Sequence, residues 1–365
     1  MSKAAELANL IGNINAGGGG VNRNVIINGA MNVAQRATSS TGIGASSGYF
    51  VCDRWRFSKG GDASDGRFTM TQDSSAPEGF ANSMKLDCTT ADTSIAAGEF
   101  LLISQRIEGQ NMQTFAKGTS SAKPFAVSFY VKGNASATYV CELVDQDNSR
   151  QISKTFNVTT DWARIELSFP ADTTGTLDDD NAKSFELFIW LHAGSTYNSG
   201  TLNSSSWASL TNANRAVGIS SFFDSTARTF FITGVQLEVG QNPTEFEHEP
   251  FERTLSKCQR YFEKSYDVAT APSTASTNGW QGYDAPSGSY GRFRAEFKHT
   301  KRAVPTIVTY QHSTGASGKI YTASNGTVDS ALAGIGMNRA QISKSGAALS
   351  SVSEVGCHWT ADSEL

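Results

Sequence analysis

The stretch from residue 227 to residue 266 constrains the fold of this chain most, because its side chains alternate in character. One face carries, at every second position, Phe231, Thr233, Val235, Leu237 and Val239. The opposite face begins with Phe230 and Ile232 and becomes polar at Gln236 and Glu238. This period of two predicts a long β-strand that is buried on both faces at its start and on one face further on.

Pro250 marks a change of pattern. The residues that follow it recur at helix-like spacing, namely Phe251, Leu255, Cys258 and Phe262. The run Gln259–Tyr266 also alternates as a strand does. We therefore expect a short helix at Glu252–Lys257 that leads into a strand at Cys258–Tyr266. The parts of the chain before and after Pro250 are predicted to be separate domains.

Alternating runs recur along the chain, separated by turn residues. Before Pro250 they include Asn24–Ile27, Arg67–Asp73, Ser83–Cys88, Phe100–Ile107, Phe125–Val131, Thr138–Val144, Gln151–Val158, Ala163–Phe169 and Phe185–Leu191. About ten strands of similar length predict an all-β sandwich, with a jelly roll as the leading choice. After Pro250, further short strands are predicted at Thr306–Tyr310, Lys319–Thr322, Gly336–Ile342 and Val352–Trp359. They indicate a smaller, sandwich-like β-domain.

The N-terminus predicts a short amphipathic helix. After Ser2, a plausible N-cap, an apolar seam with heptad spacing runs through Ala4, Leu7, Ile11 and Ile14, with Leu10 beside it. A helix of about 13 residues is marginal alone in water, so we expect it to bind other copies of itself or a socket on a larger assembly. Gly17–Gly20 would then be a flexible joint, and a frayed tail is the alternative. The predicted organisation is an anchor and linker at 1–20, a jelly roll at 21–250 and a β tip domain at 251–365.

Composition excludes several partners. The 365 residues carry a net charge of −4 and have no cluster of Lys and Arg, which argues against nucleic-acid binding. No stretch approaches the roughly 18 apolar residues of a membrane span, so membrane insertion is not expected. The five cysteines lie within apolar strand patterns: Cys52, Cys88, Cys141, Cys258 and Cys357. They predict buried free thiols and fit assembly in a reducing cytoplasm.

Motifs of catalysis are missing from the sequence. It contains no H-E-x-x-H and no C-x-x-C, and its five histidines are scattered. We therefore predict no enzymatic activity and no cofactor. Weak calcium candidates are Asp145 with Asp147, and Asp178 with Asp180, since hard cations take oxygen ligands from loops. A solvated loop is the simpler interpretation of both pairs.

Aromatic residues in polar surroundings are the candidates for sugar binding. Flat rings and side-chain hydrogen bonds recognise sugars, and loops on a rigid sandwich can supply both. The candidates are Trp190, Tyr197, Trp207, Trp280, Tyr283 and Tyr290. A core position is the alternative for Trp190, and a role in holding its own loop is the alternative for Trp207. Around Trp280 and Tyr283 the residues are mostly Ser, Thr, Asn and Gly.

Four segments of the sequence, in the order in which they occur, form a recognisable arrangement. They are NVIINGAMNVAQRATS at Asn24–Ser39, Tyr49 followed by Asp53-Arg54-Trp55, FPADTTGTLDDDNAKSFELFIWLHAGSTY at Phe169–Tyr197, and ITGVQLEVG at Ile232–Gly240 followed by Phe246-Glu247-His248 and Cys258–Phe262. This arrangement, which covers Asn24 to Tyr266, resembles bacteriophage tail fibres and other virion appendage proteins. Cys52, before Asp53, is a departure from the small residue expected there.

The resemblance implies a carbohydrate-binding-like jelly roll and a trimeric tip. We expect a non-enzymatic homotrimer in the virion tail that attaches to a host surface polysaccharide. Its contact with other tail proteins would be the helix seam of Leu7, Leu10, Ile11 and Ile14. Two alternatives stay open: a purely structural adaptor or capsid decoration protein, and a polysaccharide depolymerase that uses carboxylates of Asp178–Asp180.

Overall fold

The computed structural model describes residues 2–15, 22–60, 65–284, 292–323, 326–344 and 354–365. The chain divides into two units. The first unit comprises Met1–Asn32, Ser39–Pro250 and Leu365, and the second comprises Val33–Thr38 and Phe251–Glu364. The short segment Val33–Thr38 therefore belongs with the second unit, although residues of the first unit flank it in the sequence.

The first unit is a β-sandwich preceded by a short helix. Its helices are α1 (Lys3–Asn15) and α2 (Ser195–Asn198), with 3-10 turns at Gly109–Asn111, Gln113–Phe115 and Asn212–Asn214. Its strands are β1 (Ser39–Ile43), β2 (Gly48–Tyr49), β3 (Arg56–Gly60), β4 (Arg67–Asp73), β5 (Ser83–Thr90), β6 (Phe100–Glu108), β7 (Phe125–Gly133), β8 (Ala137–Asp145), β9 (Arg150–Val158), β10 (Ala163–Phe169), β11 (Lys183–Ala193), β12 (Ala208–Ser209) and β13 (Thr229–Val239).

These strands form two antiparallel sheets. One has the order β1-β4-β5-β13-β7-β10 and the other the order β12-β9-β8-β11-β6-β3-β2. The chain crosses between the sheets from β6 to β7, from β7 to β8, from β9 to β10 and from β10 to β11, and β8 and β9 form an antiparallel hairpin within one sheet. Repeated crossing between two sheets is the arrangement of a jelly roll, so the predicted fold class is confirmed.

Aromatic side chains from the two sheets meet in the core. Phe125 of β7 stacks on Phe185 of β11, with 5.5 Å between the ring centroids. Phe57 of β3 meets Phe68 of β4 edge-on at 5.1 Å. Trp55 is fully buried in the same unit. Removing rings of this size from water supplies much of the driving force for folding.

Strand β13 is buried on both faces along its length, which corrects the expectation that its later part is solvated on one side. Glu238 accepts hydrogen bonds from the backbone N–H of Thr244 at 2.7 Å and from its hydroxyl at 2.9 Å. Gln236 accepts one from the backbone N–H of Glu247 at 2.8 Å. The connector after β13 thus folds back over this face, and its polar groups satisfy the buried side chains.

The second unit is a smaller, sandwich-like β-domain with one helix. Its elements are α3 (Phe251–Gln259), β14 (Phe262–Lys264), β15 (Gln281–Asp284), β16 (Arg292–Glu296), β17 (Thr306–Tyr310), β18 (Lys319–Thr322), β19 (Gly326–Ala333), β20 (Arg339–Lys344) and β21 (Glu354–Asp362). Strand β21 organises the unit, because its first half pairs with β15 and β18 and its second half with β14 and β17. The core beneath it contains Ile307, Ile320, Ile342, Val355 and Trp359.

Three local predictions need correction. Asn24–Ile27 is not a strand, although the backbone N–H of Val25 donates to the carbonyl of Leu237 at 3.0 Å. The helix after Pro250 runs two residues further than expected, as α3, because Thr254 and Cys258 bury one of its faces. The strand that follows is correspondingly shorter and is limited to β14.

All five cysteines are buried and free, as predicted. Burial raises the pKa of the Cys88 thiol to about 11, so the thiol stays protonated and unreactive at neutral pH. Within the described ranges, no helix is both long enough and apolar enough to cross a membrane.

Candidate functional site

A polar loop at Asp267–Gly279, between β14 and β15, forms one wall of the candidate site. Its first part is held by the buried ammonium group of Lys264. That group donates to the backbone carbonyls of Val268 at 2.9 Å and Thr270 at 2.6 Å. Because the donor is buried, these charge-assisted hydrogen bonds fix the loop without competition from water.

His358 of β21 fixes the far end of the same loop. Its Nε2–H donates to the carbonyl of Ser276 at 2.9 Å. Its Nδ1 accepts from the hydroxyl of Ser265 at 3.0 Å, since that oxygen already accepts the backbone N–H of Trp359. The ring stacks on Tyr266 at 3.6 Å between centroids. Desolvation lowers the pKa of His358, so the neutral tautomer with hydrogen on Nε2 holds the loop.

The fixed loop and the turn after β17 enclose a shallow pocket of about 390 Å³. Its lining residues are Ala275, Ser276, Thr277, Asn278, His312 and Ser313. We call this cavity the His312 pocket. Thr277, Asn278 and Ser313 are exposed to solvent. Desolvation lowers the pKa of His312, so the lining of hydroxyl, amide and imidazole groups is uncharged at neutral pH.

Two aromatic rings hold His312 in place. Trp280 lies 4.6 Å from it between centroids, and Tyr321 meets it edge-on at 4.9 Å. The indole of Trp280 also lies against Gly356 of β21, where a Cβ atom would come within 2.1 Å of the indole Cζ3. Glycine at position 356 therefore leaves the space that lets the indole reach His312.

Three of the predicted sugar-binding residues belong to the packing of the first unit. Trp190 is fully buried, and its indole N–H donates to Glu142 at 2.7 Å. Trp207 is buried and donates to the carbonyl of Pro170 at 2.9 Å. Tyr197 packs on Trp190 at 5.4 Å. The predicted role of Trp190 and Trp207 is corrected. The chain after β11 folds over the outer face of its sheet and covers the indole of Trp190, whereas Trp207 packs against Phe125 and Phe185, at 5.4 and 6.1 Å between ring centroids.

The other candidates fall in the second unit. Trp280 is partly exposed beside the His312 pocket, and Tyr283 is exposed. Gly282 faces the indole of Trp280. Because successive residues of a strand face opposite sides of the sheet, Tyr283 points away from Trp280. Tyr290 lies outside the described residues. Sequence reasoning missed His312, since pairing of distant strands brings it to Trp280 and no local pattern marks it.

The weak calcium candidate Asp145 already has a cation. The ammonium group of Lys117 donates to its carboxylate and to the carbonyls of Thr174 and Gly175, both at 2.9 Å. The same nitrogen lies 3.1 Å from a carboxylate oxygen of Asp172. An internal ammonium thus occupies the oxygen cluster, which corrects the assignment of Asp145 as a calcium ligand.

The carboxylates of two other acidic candidates accept hydrogen bonds from the backbone. The carboxylate of Asp147 accepts the backbone N–H of Asp178 at 3.0 Å, and that of Asp180 accepts the N–H of Ala182 at 2.8 Å. Within the part of the chain that the structure describes, no three acidic, His or Cys side chains are grouped as metal ligands would be. The carboxylate of Asp180 therefore caps a turn, and that of Asp147 joins two loops.

The predicted seam of α1 is exposed. Leu7 is 57%, Leu10 39% and Ile11 49% accessible. The side chain of Ile14 and the residues Gly17–Gly20 lie outside the described residues. Apolar residues at this exposure on one helix face form a surface suited to association.

No protein-family model matches the chain, and no curated protein matches it. Solved structures that match the chain include the family 11 carbohydrate-binding module from Clostridium thermocellum in complex with a β-1,3-1,4-mixed-linked tetrasaccharide, at 13% identity over 58% of this chain and 99% of the module, with a TM-score of 0.27.

Two further solved structures that match are a carbohydrate-binding module and a domain of a phage tailspike. A family 30 carbohydrate-binding module matches at 10% identity over 62% of this chain and 91% of the module, with a TM-score of 0.30. The enzymatically active domain of tailspike protein 4 of bacteriophage CBA120 matches at 14% identity, with a TM-score of 0.28. That match covers 51% of this chain and 19% of the tailspike chain.

Proposed function

We propose that this chain is a non-enzymatic virion appendage of the tail-fibre kind, which binds a glycan on the host surface through the His312 pocket. The observation that supports this most is the partly exposed indole of Trp280 against His312, beside the exposed side chains of Thr277 and Asn278. An aromatic ring combined with a few convergent hydrogen-bonding groups is the combination that sugar recognition requires.

The hydrogen bonds that fix the wall of the pocket support the same proposal. Lys264 and His358 hold the loop that carries Thr277 and Asn278. A site whose backbone is fixed before binding loses less conformational entropy when the ligand arrives. Among the described residues that line the pocket, none carries a carboxylate or a thiol. The proposed role is therefore binding rather than hydrolysis.

Association through α1 would strengthen attachment. In this proposal the exposed seam of Leu7, Leu10 and Ile11 joins three copies and docks them on other tail proteins. Single sugar contacts are weak, and linking several sites raises the overall affinity by roughly 10²–10⁴. The mass of the particle in solution, measured by light scattering, tests the trimer directly.

Binding of the full chain to an array of host polysaccharides tests the glycan proposal. We expect binding to at least one polysaccharide, and an affinity about tenfold lower for Trp280→Ala. Phe251→Ala is the control, because this aromatic side chain on α3 is 43% exposed and lies outside the pocket. No binding to any host polysaccharide would favour a purely structural adaptor or capsid decoration protein.

The depolymerase alternative is tested by measuring hydrolysis of the same host polysaccharides. Release of reducing ends from a host polysaccharide would establish hydrolysis. Asp178→Asn and Asp180→Asn would then test whether these turn carboxylates take part. A protein that binds polysaccharide without releasing reducing ends agrees with the proposal.

A further inference from the structure

The second unit carries another cavity, on the outward face of three paired strands. It has a volume of about 540 Å³ and is lined by Arg36, Phe262, Pro272, Thr306, Val308, Tyr310, Thr360 and Asp362. We call it the sheet groove. Its volume lies within the range of about 300–1,000 Å³ that is typical of ligand sites.

Strand register places the floor of the sheet groove on one face. Thr306 of β17 pairs with Asp362 of β21, and Val308 pairs with Thr360. Phe262 of β14 pairs with Asp362 from the other side. Residues between these positions, such as Ile307, point into the core. On this outward face Thr306 and the carboxylate of Asp362 are exposed, whereas Phe262 and Thr360 are buried.

The segment Val33–Thr38 contributes one border of the sheet groove. The guanidinium carbon of Arg36 lies 3.8 Å from the centroid of the Phe262 ring. Arg36 also pairs with Asp362 at 2.9 Å, and it lies 3.5 Å from a carboxylate oxygen of Glu364. The positive charge of Arg36 is thus matched by two carboxylates, and its side chain is only 12% exposed.

The sheet groove and the His312 pocket share two structural elements. Pro272 lines the groove and Ala275, on the same loop, lines the pocket. Tyr310 at the end of β17 lines the groove, and His312 two residues later lines the pocket. A chain-like ligand could therefore follow the end of β17 from one cavity into the other.

We propose that the sheet groove and the His312 pocket form one extended site for a linear, uncharged polysaccharide. This inference rests on the proposed function and adds the length and charge class of the ligand. Thr306 and Tyr310 offer hydroxyl groups to the sugars along the groove. The carboxylate of Asp362, 41% exposed, accepts sugar hydroxyls and repels uronate or other anionic sugars.

The first test measures affinity against ligand length. The ligands are oligomers, from disaccharide to hexasaccharide, of the neutral polysaccharide with the strongest array signal, and titration calorimetry uses the full chain. We expect affinity to rise about tenfold between disaccharide and hexasaccharide. Thr306→Tyr should remove this gain and leave disaccharide binding unchanged, because Thr306 is exposed and a larger side chain there blocks the groove alone.

Controls separate the inference from the proposed function. Thr327→Tyr places the same ring on an exposed position of β19 and should leave every affinity unchanged. Trp280→Ala should lower the affinity for oligosaccharides of every length. If Thr306→Tyr leaves the hexasaccharide affinity unchanged, the groove is not part of the site, although glycan binding stands. If no glycan binds at all, the proposed function fails together with the inference.

The second test addresses charge. A uronic-acid polysaccharide on the same array should bind at least tenfold more weakly than the neutral one at low salt. Asp362→Asn should narrow that difference, because it removes the exposed carboxylate and leaves the charge of Arg36 in place. Tighter binding of the acidic polysaccharide by the unaltered protein would overturn the assigned ligand class.

Discussion

Lys117 donates a hydrogen bond from its ammonium group to the carboxylate of Asp145, and both side chains are fully buried. A second carboxylate, from Asp172, lies 3.1 Å from the same nitrogen. The first unit therefore neutralises an interior group of oxygen atoms with a side chain. The carbonyls of Thr174 and Gly175 complete the set of acceptors and tie the neighbouring loop to it.

Replacing Lys117 by methionine should destabilise the first unit strongly. Lys117→Met keeps much of the volume but leaves two buried carboxylates without their cation, which costs about 3–5 kcal/mol. Urea unfolding gives the free energy of unfolding. The control is Lys85→Met, because Lys85 and Asp87 form a partly exposed pair at 3.0 Å and such a pair contributes less than about 1 kcal/mol. Equal losses in the two variants would contradict the role given to Lys117.

The stability of the second unit should fall as the pH drops below about 6.5, the ordinary pKa of histidine. Desolvation lowers the pKa of His358 in the folded protein, so the unfolded chain takes up the proton first. Stability is then complete above the unfolded pKa and is lost as the pH falls toward the folded pKa. Urea unfolding between pH 7.5 and 5, followed by tryptophan fluorescence, measures this dependence.

His358→Gln isolates the contribution of that residue, because the pKa of His312, in the same unit, is also lowered by desolvation and acts in the same direction. Glutamine can still donate to the carbonyl of Ser276 but does not titrate. We expect a shallower loss of stability on acidification in this variant. A slope identical to that of the unaltered protein would mean that His358 is protonated equally in both states.

Gly356→Ala should weaken glycan binding without removing any side chain from the pocket. The added Cβ would meet the indole of Trp280 at 2.1 Å, so the indole must move away from His312. We expect a loss of affinity of about tenfold, close to that of Trp280→Ala. Gly336→Ala is the control, since the nearest heavy atom to its added Cβ is 3.9 Å away. Unchanged binding in Gly356→Ala would show that the indole position does not matter.

Strand positions could be predicted wherever one face is apolar. The expected strands at Arg67–Asp73, Thr306–Tyr310 and Lys319–Thr322 coincide with β4, β17 and β18. Strand β19 was missed, because its burial alternates only between partly buried and exposed positions. The two-residue strands β2 and β12 are too short to carry a period at all.

The candidate site was predictable only in part. Trp280 stood out because polar residues surround it in the sequence. The burial of Trp190 and Trp207 depends on how the chain after β11 folds back, which local alternation does not encode. The contact of Arg36 with the Phe262 ring could not be predicted either, since these two residues lie far apart in the sequence. Exposure of an aromatic residue is a tertiary property, whereas strand register is largely a local one.

The most direct test of the account is an NMR titration of the full chain, labelled with ¹⁵N in tryptophan, with the polysaccharide that binds best on the array. The account predicts that the indole N–H signal of Trp280 shifts and saturates, while the buried indoles of Trp190 and Trp207 keep their positions. Shifts at Trp190 or Trp207 with none at Trp280 would contradict the assignment of the site to the second unit.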